Sequence, residues 1–373
     1  MSRIVVLSRR NITHPRGGGA SRYIHEIFRR LATRHIVTVL SEGSTSSPTV
    51  ERTDGVIYRR FPRTLNRILQ PIRYVAKFAN SADVLVDNAD VGIPWLSPLY
   101  SRIPRIVIIH QLVREIFYKE LSSAAARICF FAEPALYRLY SGSTIVAMSN
   151  STKKDLCELG IPDENIRIIG PGCPYPGNQR VPLEERSQNL VGCVSRLMRY
   201  KGVQFIIKAI PMVAQEIPDV RLEVAGSGPY EADLRKLVHE EGVDSRVHFL
   251  GRVPEDRKLK LYCNSRVLVL SSIREGYGLA VIEANSMGTP VVGWNVPGLR
   301  DSIIDNSTGL LASFPHTEDL ARRICRIMKD DSSWNRMSEQ AWHWAQSHSW
   351  DRSAREFEDA IELVLSKGPG TGI

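Results

Sequence analysis

From Ser187 onward, short apolar runs alternate with stretches of helical periodicity, and that rhythm leaves few folds open. Leu190–Val194, Val220–Ala225, Val247–Leu250, Val267–Leu270 and Pro290–Gly293 read as strands. Between them, helices are expected over about Val203–Glu216, Tyr230–Glu241, Glu255–Asn264 and Leu279–Met287. A strand that is apolar along its whole length is buried on both faces, as in a parallel sheet covered by helices on each side. This half therefore reads as a doubly wound α/β domain. The first half repeats the theme, with strands at Ile4–Leu7, His35–Leu40, Val56–Arg59, Val84–Asp87, Arg105–His110, Ile145–Ala147 and Ile166–Ile169. Its expected helices are Ser21–Thr33, Gln70–Ala79, Phe130–Tyr140 and Ser149–Leu159. The Pro- and Gly-rich stretch from Pro171 to Pro182 can continue neither element and reads as a linker. The expected organisation is an α/β chain of two Rossmann-like doubly wound domains facing a cleft, spanning 1–180 and 187–350. Helical patterns at Ser332–Gln346 and about 351–367 follow, the last expected to pack back near the first domain, and the Gly-rich 368–373 should fray.

A length of 373 residues fits two domains at the usual ~100–200 residues each. No apolar run approaches the ~18 residues of a membrane span, and Met1-Ser2-Arg3 leads straight into a strand, so the cytoplasm is the expected compartment. Six cysteines without a C-x-x-C pair argue against a zinc site or a disulfide framework. The net charge of +9 is uneven: residues 1–180 hold 25 Lys+Arg against 14 Asp+Glu, whereas the remainder is slightly acidic. A basic first half either attracts phosphates, anionic lipid or nucleic acid, or serves solubility alone.

Three loops carry chemistry. Ser271-Ser272-Ile273-Arg274-Glu275-Gly276-Tyr277-Gly278-Leu279 follows a buried strand and opens a helix, with Glu283 in that helix. Gly276 and Gly278 allow a tight turn whose N–H groups can face an anion. Two carboxylates flanking such a cradle would repel an anion unless they bind something else, and hydroxyl groups beside a diphosphate satisfy both. The competing account is a helix-start charge at Glu275 and a surface residue at Glu283. Ser195–Gly202 also lies between strand and helix, and its Arg196 and Lys201 supply the positive charge that the carboxylates lack. Arg16-Gly17-Gly18-Gly19-Ala20 occupies the equivalent place in the first half, where glycines suit close approach of backbone to a ligand.

With these residues in view the chain resembles retaining glycosyltransferases of the GT-B fold, similar to glycosyltransferase family 4 (glycosyl transferases group 1). The resemblance rests on the E-x7-E pair Glu275/Glu283 around Gly276-Tyr277-Gly278-Leu279, and on Arg196…Lys201-Gly202. It extends to Val224–Pro229, Val247–Gly251, Gly288–Val292 and Gly18-Gly19-Ala20. It implies that Arg196 and Lys201 neutralise the donor diphosphate, that Glu275 binds donor-sugar hydroxyls, and that Glu283 binds the ribose. Backbone of Gly276, Tyr277, Gly278 and Leu279 would contact phosphate or sugar, and Arg252 and Val253 would lie beside the base. Gly18 and Gly19 would approach the β-phosphate from the other domain, and His110 matches the family histidine that positions the sugar. The implied donor is a UDP- or GDP-sugar and the implied acceptor a glycan or lipid-linked hydroxyl. No metal or other cofactor is expected: no D-x-D triplet occurs, and Arg196 and Lys201 can supply the electrostatics. Front-face transfer with retention is the expected mechanism, because no carboxylate is placed as a covalent nucleophile. Ser195 stands where the family often has glycine, Tyr277 where it often has phenylalanine, and Pro171-Gly172-Cys173-Pro174 replaces a more usual Asn-Gly-Val-Asp.

Arg59, Arg60, Arg63, Arg67, Arg73 and Lys77, interleaved with Leu65, Ile68, Leu69, Ile72 and Tyr74, form a stretch that either lies on an anionic membrane or packs as a solvated helix. The first reading makes the protein peripheral at the inner membrane face. A nucleic-acid binder would leave Glu275 and Glu283 unexplained, so no nucleic acid partner is expected. A sugar-nucleotide epimerase or a phosphorylase of the same architecture is the other alternative. A dinucleotide-dependent dehydrogenase fits less well, since Glu231 stands where G-x-G-x-x-G needs its last glycine.

Overall fold

A computed structural model describes residues 1–14, 17–43, 49–61, 82–89 and 94–367. Its backbone separates into two units, one of Met1–Arg114, Ala124–Gly172 and Ser349–Ile373, the other of Glu115–Ser123 and Cys173–His348.

The first unit is built on β1 (Arg3–Leu7), β2 (Ile36–Glu42), β3 (Val50–Thr53), β4 (Val56–Phe61), β5 (Val84–Ala89), β6 (Arg105–Ile109), β7 (Thr144–Ala147) and β8 (Ile166–Ile168). They lie in the order β3-β4-β2-β1-β5-β6-β7-β8, and β3 is an antiparallel edge on an otherwise parallel sheet. β5 and β7 are buried throughout and β6 from Ile106 on, mostly by apolar residues, with Asp87 and Asn88 as buried polar residues in β5. The helix Gly19–Leu31 buries Tyr23, Ile24, Ile27, Phe28 and Leu31, a stripe at helical spacing. Phe28 meets Phe357 of the helix Trp350–Ser366 edge-on at 5.2 Å, so the end of the chain helps close this unit.

The second unit holds β9 (Ser187–Val194), β10 (Arg221–Ala225), β11 (Val247–Gly251), β12 (Ser265–Leu270), β13 (Val291–Trp294) and β14 (Gly309–Ala312). The order β11-β10-β9-β12-β13-β14 is all parallel, and in chain order reads third-second-first-fourth-fifth-sixth. Chain direction across the sheet therefore reverses between β9 and β12, the place where doubly wound sheets bind ligands.

Besides β3 and β14, which were not expected, four points need correction. The break falls at Gly172/Cys173, and the expected linker beyond it packs on the second unit. Cys173 is buried against Ile282 and Ala345, and Val181 N–H donates to Met287 O at 3.1 Å. The segment Glu115–Ser123, read as part of the first half, belongs to the second unit. A helix at Thr317–Lys329 was not expected, although Leu320, Ala321, Ile324, Ile327 and Met328 form its buried stripe. Arg59 and Arg60 sit in β4, and the Arg60 guanidinium is buried against Glu51 and the Thr13 hydroxyl, so it cannot belong to a basic surface helix. The rest of that basic stretch and the helix expected at Gln70–Ala79 lie outside the described residues, as does the tail from Gly368.

Arg186, just before β9, stitches the second unit together. Its guanidinium donates to Tyr262 O at 3.1 Å, Ser265 O at 3.0 Å, Thr289 Oγ1 at 2.7 Å, Val181 O at 3.0 Å and Met287 O at 2.5 Å. Burial pushes its pKa down to about 10, which leaves it charged at neutral pH.

Candidate functional site

β9 and β12 are hydrogen-bonded neighbours, so the loops leaving their carboxyl ends, Ser195–Gly202 and Ser271–Gly278, emerge side by side. They are joined through the backbone. Gly202 has φ +73°, and a Cβ there would fall 1.8 Å from Ser271 O, so no other residue fits without displacing the loop. Ser271 Oγ donates to Gly202 O at 2.7 Å, and Ile273 N–H to Tyr200 O at 2.9 Å. The turn after β10 supports the first loop from the other side. Gly226, at φ +147°, lets the chain pass where a Cβ would lie 1.7 Å from Ser195 O, and Leu197 N–H donates to Ser227 O at 3.1 Å.

These contacts bring Arg196, Lys201 and Glu275 together. Lys201 Nζ stands 2.5 Å from Glu275 Oε1, both side chains 14% exposed, and Ser272 Oγ donates to the same oxygen at 2.7 Å. Burial opposes the Lys201 charge most, but Glu275 and Tyr200 together outweigh it and the pKa ends above its ordinary value. Arg196 is exposed, and its Nη2 donates to Tyr200 OH at 2.6 Å. Glu275 is held from behind by its own N–H, which donates to Pro297 O at 3.0 Å. Its neighbour Arg274 forms a two-pronged pair with Glu115, at 2.9 Å and 3.2 Å. Glu120 accepts the Tyr200 N–H at 3.0 Å.

Glu283 lies in the helix Leu279–Asn285 that follows, and it is not a surface residue. Lys258 Nζ reaches its Oε1 at 3.1 Å, and Tyr262 OH donates to its Oε2 at 2.6 Å. Burial first, and then Glu283, raise the Tyr262 pKa well above normal, so the phenol stays a donor. Lys258 and Tyr262 come from the helix Glu255–Asn264, which the Arg252-Val253 loop enters. Arg252 is exposed, and Val253 packs beside Leu190, Ala225 and Leu261. Gly226 N–H donates to Gly251 O at 2.8 Å, tying this loop to the turn that supports Arg196.

Tyr277 faces a different neighbourhood. Its hydroxyl lies 2.6 Å from His348 Nε2 and its ring packs beside Cys173, Ile282 and Ala345. Its side chain is thereby engaged, and the backbone of Gly276 to Leu279 is what this turn offers a ligand.

In the first unit, Gly18 begins the helix Gly19–Leu31 in extended backbone, without a side-chain cap. A Cβ at Gly18 would meet nothing within 4 Å, so packing does not demand glycine there and the approach to the helix start is open. His110 directly follows β6, its Nε2 is 2.7 Å from Asn88 Oδ1, and Tyr23 packs edge-on at 5.6 Å. Burial lowers its pKa to about 4, so the imidazole is neutral at physiological pH.

The partners Tyr200, Ser272, Lys258, Tyr262, Glu115 and Asn88 were not foreseen. A Lys or Tyr on a neighbouring helix has no local sequence signature as a carboxylate partner; only Tyr200 and Ser272 lay inside the loops singled out.

Two parallel doubly wound sheets, one with cation-and-carboxylate loops where its strand order reverses, define a GT-B architecture. Solved structures agree on the fold. Anabaena HepE in complex with UDP and glucose superposes with a TM-score of 0.77 at 18% identity, over 97% of this chain and all of that one. The sucrose-phosphate synthase of Thermosynechococcus elongatus gives 0.80 at 20%, over 99% of this chain and all of that one.

Residues 17–174 match the profile of Glycosyltransferase Family 4, and 177–344 that of Glycosyl transferases group 1. The chain belongs to these group 1/family 4 glycosyltransferases. Among its relatives, the D-inositol 3-phosphate glycosyltransferase of Corynebacterium glutamicum is 29% identical over 72% of this chain and 69% of its own length. A GDP-mannose-dependent alpha-(1-6)-phosphatidylinositol monomannoside mannosyltransferase of Mycobacterium tuberculosis is 25% identical over 97% of this chain and 98% of its own. Several curated relatives are matched over only half to two-thirds of their length, including an uncharacterized glycosyltransferase of Methanocaldococcus jannaschii at 61%. Among the described residues, no helix is long and apolar enough to cross a membrane.

Proposed function

We propose that this chain transfers a sugar, with retention, from a UDP- or GDP-sugar to a hydroxyl of a glycan or glycolipid, without a divalent metal. The observation that carries the reading is the Lys201–Glu275 pair with Arg196 alongside, set where the sheet's strand order reverses. A nucleoside diphosphate arriving there offers each member a better partner. Lys201 turns to a phosphate oxygen and Glu275 accepts from a sugar hydroxyl. Arg196 adds a fixed, bidentate cation on the phosphates. Glu283, already oriented by Lys258 and Tyr262, accepts from the ribose hydroxyls, with the backbone of Arg252 and Val253 beside the base. Backbone N–H groups at Gly18 and Gly19 suit a phosphate oxygen.

In the reaction the bond from the anomeric carbon to the diphosphate breaks, and its electron pair leaves on the phosphate oxygen. Arg196 and Lys201 stabilise that growing charge, the work a metal ion would otherwise do. The acceptor oxygen bonds to the same face of the anomeric carbon, and its proton passes to the departing phosphate. Neutral His110 orients the sugar and carries no proton. GDP-mannose, on which the mycobacterial mannosyltransferase relative depends, and the UDP and glucose held by HepE support this donor class.

A lipid-linked acceptor, with the protein at the inner membrane face, has a specific observation in its favour. On the helix Ser123–Arg138, Ile128 and Phe131 are 71% and 72% exposed beside Arg127, an apolar and basic surface suited to an anionic bilayer.

A panel of UDP- and GDP-sugars, offered with inositol-phosphate and lipid acceptors and read by released nucleoside diphosphate, tests the proposal. Acceptor-dependent release from one of them is expected. Release from none, alongside binding of a dinucleotide or nucleic acid, would refute it.

A further inference from the structure

His110 has a polar chain behind it that the sugar-transfer reading does not use. Asn88, buried in β5, places Oδ1 at 2.7 Å from His110 Nε2 and Nδ2 at 3.0 Å from Ser8 Oγ. Ser8, equally buried, lies 2.9 Å from the backbone carbonyl of Arg10, which also accepts from Ser21 Oγ at 3.2 Å. A carbonyl oxygen can only accept, so the Ser8 hydroxyl proton points at Arg10. The Ser8 oxygen must then accept from Asn88, which puts the amide nitrogen toward Ser8 and the amide oxygen toward His110. That oxygen again only accepts, so the proton of the neutral ring resides on Nε2. The order of donors is fixed from a main-chain carbonyl outward, independently of how any single amide or ring was oriented.

We propose that Asn88 and Ser8 are positioning residues that hold His110 as the Nε2–H tautomer, presenting Nδ1 as a hydrogen-bond acceptor. The inference rests on the sugar-transfer reading for its ligand and makes that reading more specific. A group that meets Nδ1 must donate, so a sugar hydroxyl fits, while a carboxylate or phosphate oxygen is rejected at that position. Tyr23 is the titratable side chain packed against the ring, and burial keeps its phenol protonated. Thr152 Oγ1 donates to the His110 carbonyl at 3.3 Å and leaves the ring nitrogens alone.

The test reads the ring directly by long-range ¹H–¹⁵N NMR of the full chain, with His110 assigned by its loss in His110→Gln. The wild type is expected to show the Nε2–H neutral tautomer from pH 8 down to about 5. Asn88→Asp places a carboxylate on the same nitrogen, favours the imidazolium and makes Nδ1 a donor near neutral pH. Nucleotide-sugar turnover by that variant should then be about tenfold lower at pH 6 than at pH 8, recovering as the ring loses its proton, while the wild type changes less than about twofold. Ser8→Ala, which removes one link without adding charge, should give a mixture of tautomers. An Nδ1–H tautomer in the wild type, or an unmixed Nε2–H tautomer in Ser8→Ala, would overturn the relay. So would an Asn88→Asp pH profile like that of the wild type. If the NMR result holds while the wild type turns over no nucleotide sugar, the relay stands and the transfer reading falls.

Discussion

Two lysine–glutamate pairs, one in the turn after β12 and one in the helix that turn opens, differ in their surroundings. Glu275 holds Lys201 at 2.5 Å with a serine hydroxyl on the same oxygen, and both partners keep some exposure. Glu283 holds Lys258 at 3.1 Å, and its second oxygen is occupied by the buried phenol of Tyr262. The first pair comes from two loops and can separate when a ligand brings charges and hydroxyls of its own. The second is anchored on a helix by a donor that cannot ionise, so its carboxylate arrives already aimed. Under the proposed function, the first would exchange partners during the reaction and the second would hold a ligand still.

The sharpest way to break this contrast is at the exchanging pair. Lys201→Ala and Glu275→Ala should each lower kcat by about a hundred- to a thousandfold, as loss of a charge-stabilising group does, with the circular dichroism of the folded chain retained. Activity near wild type in either would make the pair structural. Arg186→Met should cost about 3 kcal/mol in denaturant unfolding of the second unit, because several buried carbonyls, that of Tyr262 among them, lose their donor. An unchanged midpoint would show that the anchored pair does not depend on that stitch. Tyr262→Phe removes one hydrogen bond to Glu283 and should raise donor KM about tenfold while sparing kcat, a separation that the exchanging pair must not show. A fall in kcat instead would merge the two roles. The smallest effect is expected from chelation: EDTA should leave turnover within about twofold if, as proposed, Arg196 and Lys201 carry the diphosphate. Loss of turnover restored by Mg²⁺ would require a metal alongside them.

Acid pH gives a further check on the first unit. His110 has a folded pKa below its unfolded value, so its contribution to stability is present above about 6.5 and lost as pH falls toward about 4. His110→Gln should flatten that part of the stability curve, as followed by thermal unfolding.

Legibility in the sequence followed the range of the interaction. Most of the parallel strands announced themselves because they are largely apolar, as Val267–Leu270 is; β14, four residues opening on Gly309, was not expected. Glu275, Glu283, Arg196 and Lys201 stood out because glycines and charges at strand-to-helix junctions are local signals. β3 was missed because its four residues alternate between exposed and half-buried at a sheet edge, so the strand carries no apolar run. The helix Thr317–Lys329 was not expected, although Leu320, Ala321, Ile324, Ile327 and Met328 form a stripe at helical spacing. Tyr262, Lys258 and Asn88 could not be read, since each acquires its role only from a side chain at least twenty residues away. Glu115 and Glu120 are further still from Arg274 and Tyr200, and nothing near them marks their segment as part of the second unit.

A structure of the chain with its nucleotide-sugar donor tests the exchange most directly. The account predicts that Lys201 Nζ leaves Glu275 for a diphosphate oxygen while the Glu275 carboxylate accepts from a sugar hydroxyl and Glu283 keeps Tyr262. A donor bound with the Lys201–Glu275 pair still closed and turned away from it would contradict the account.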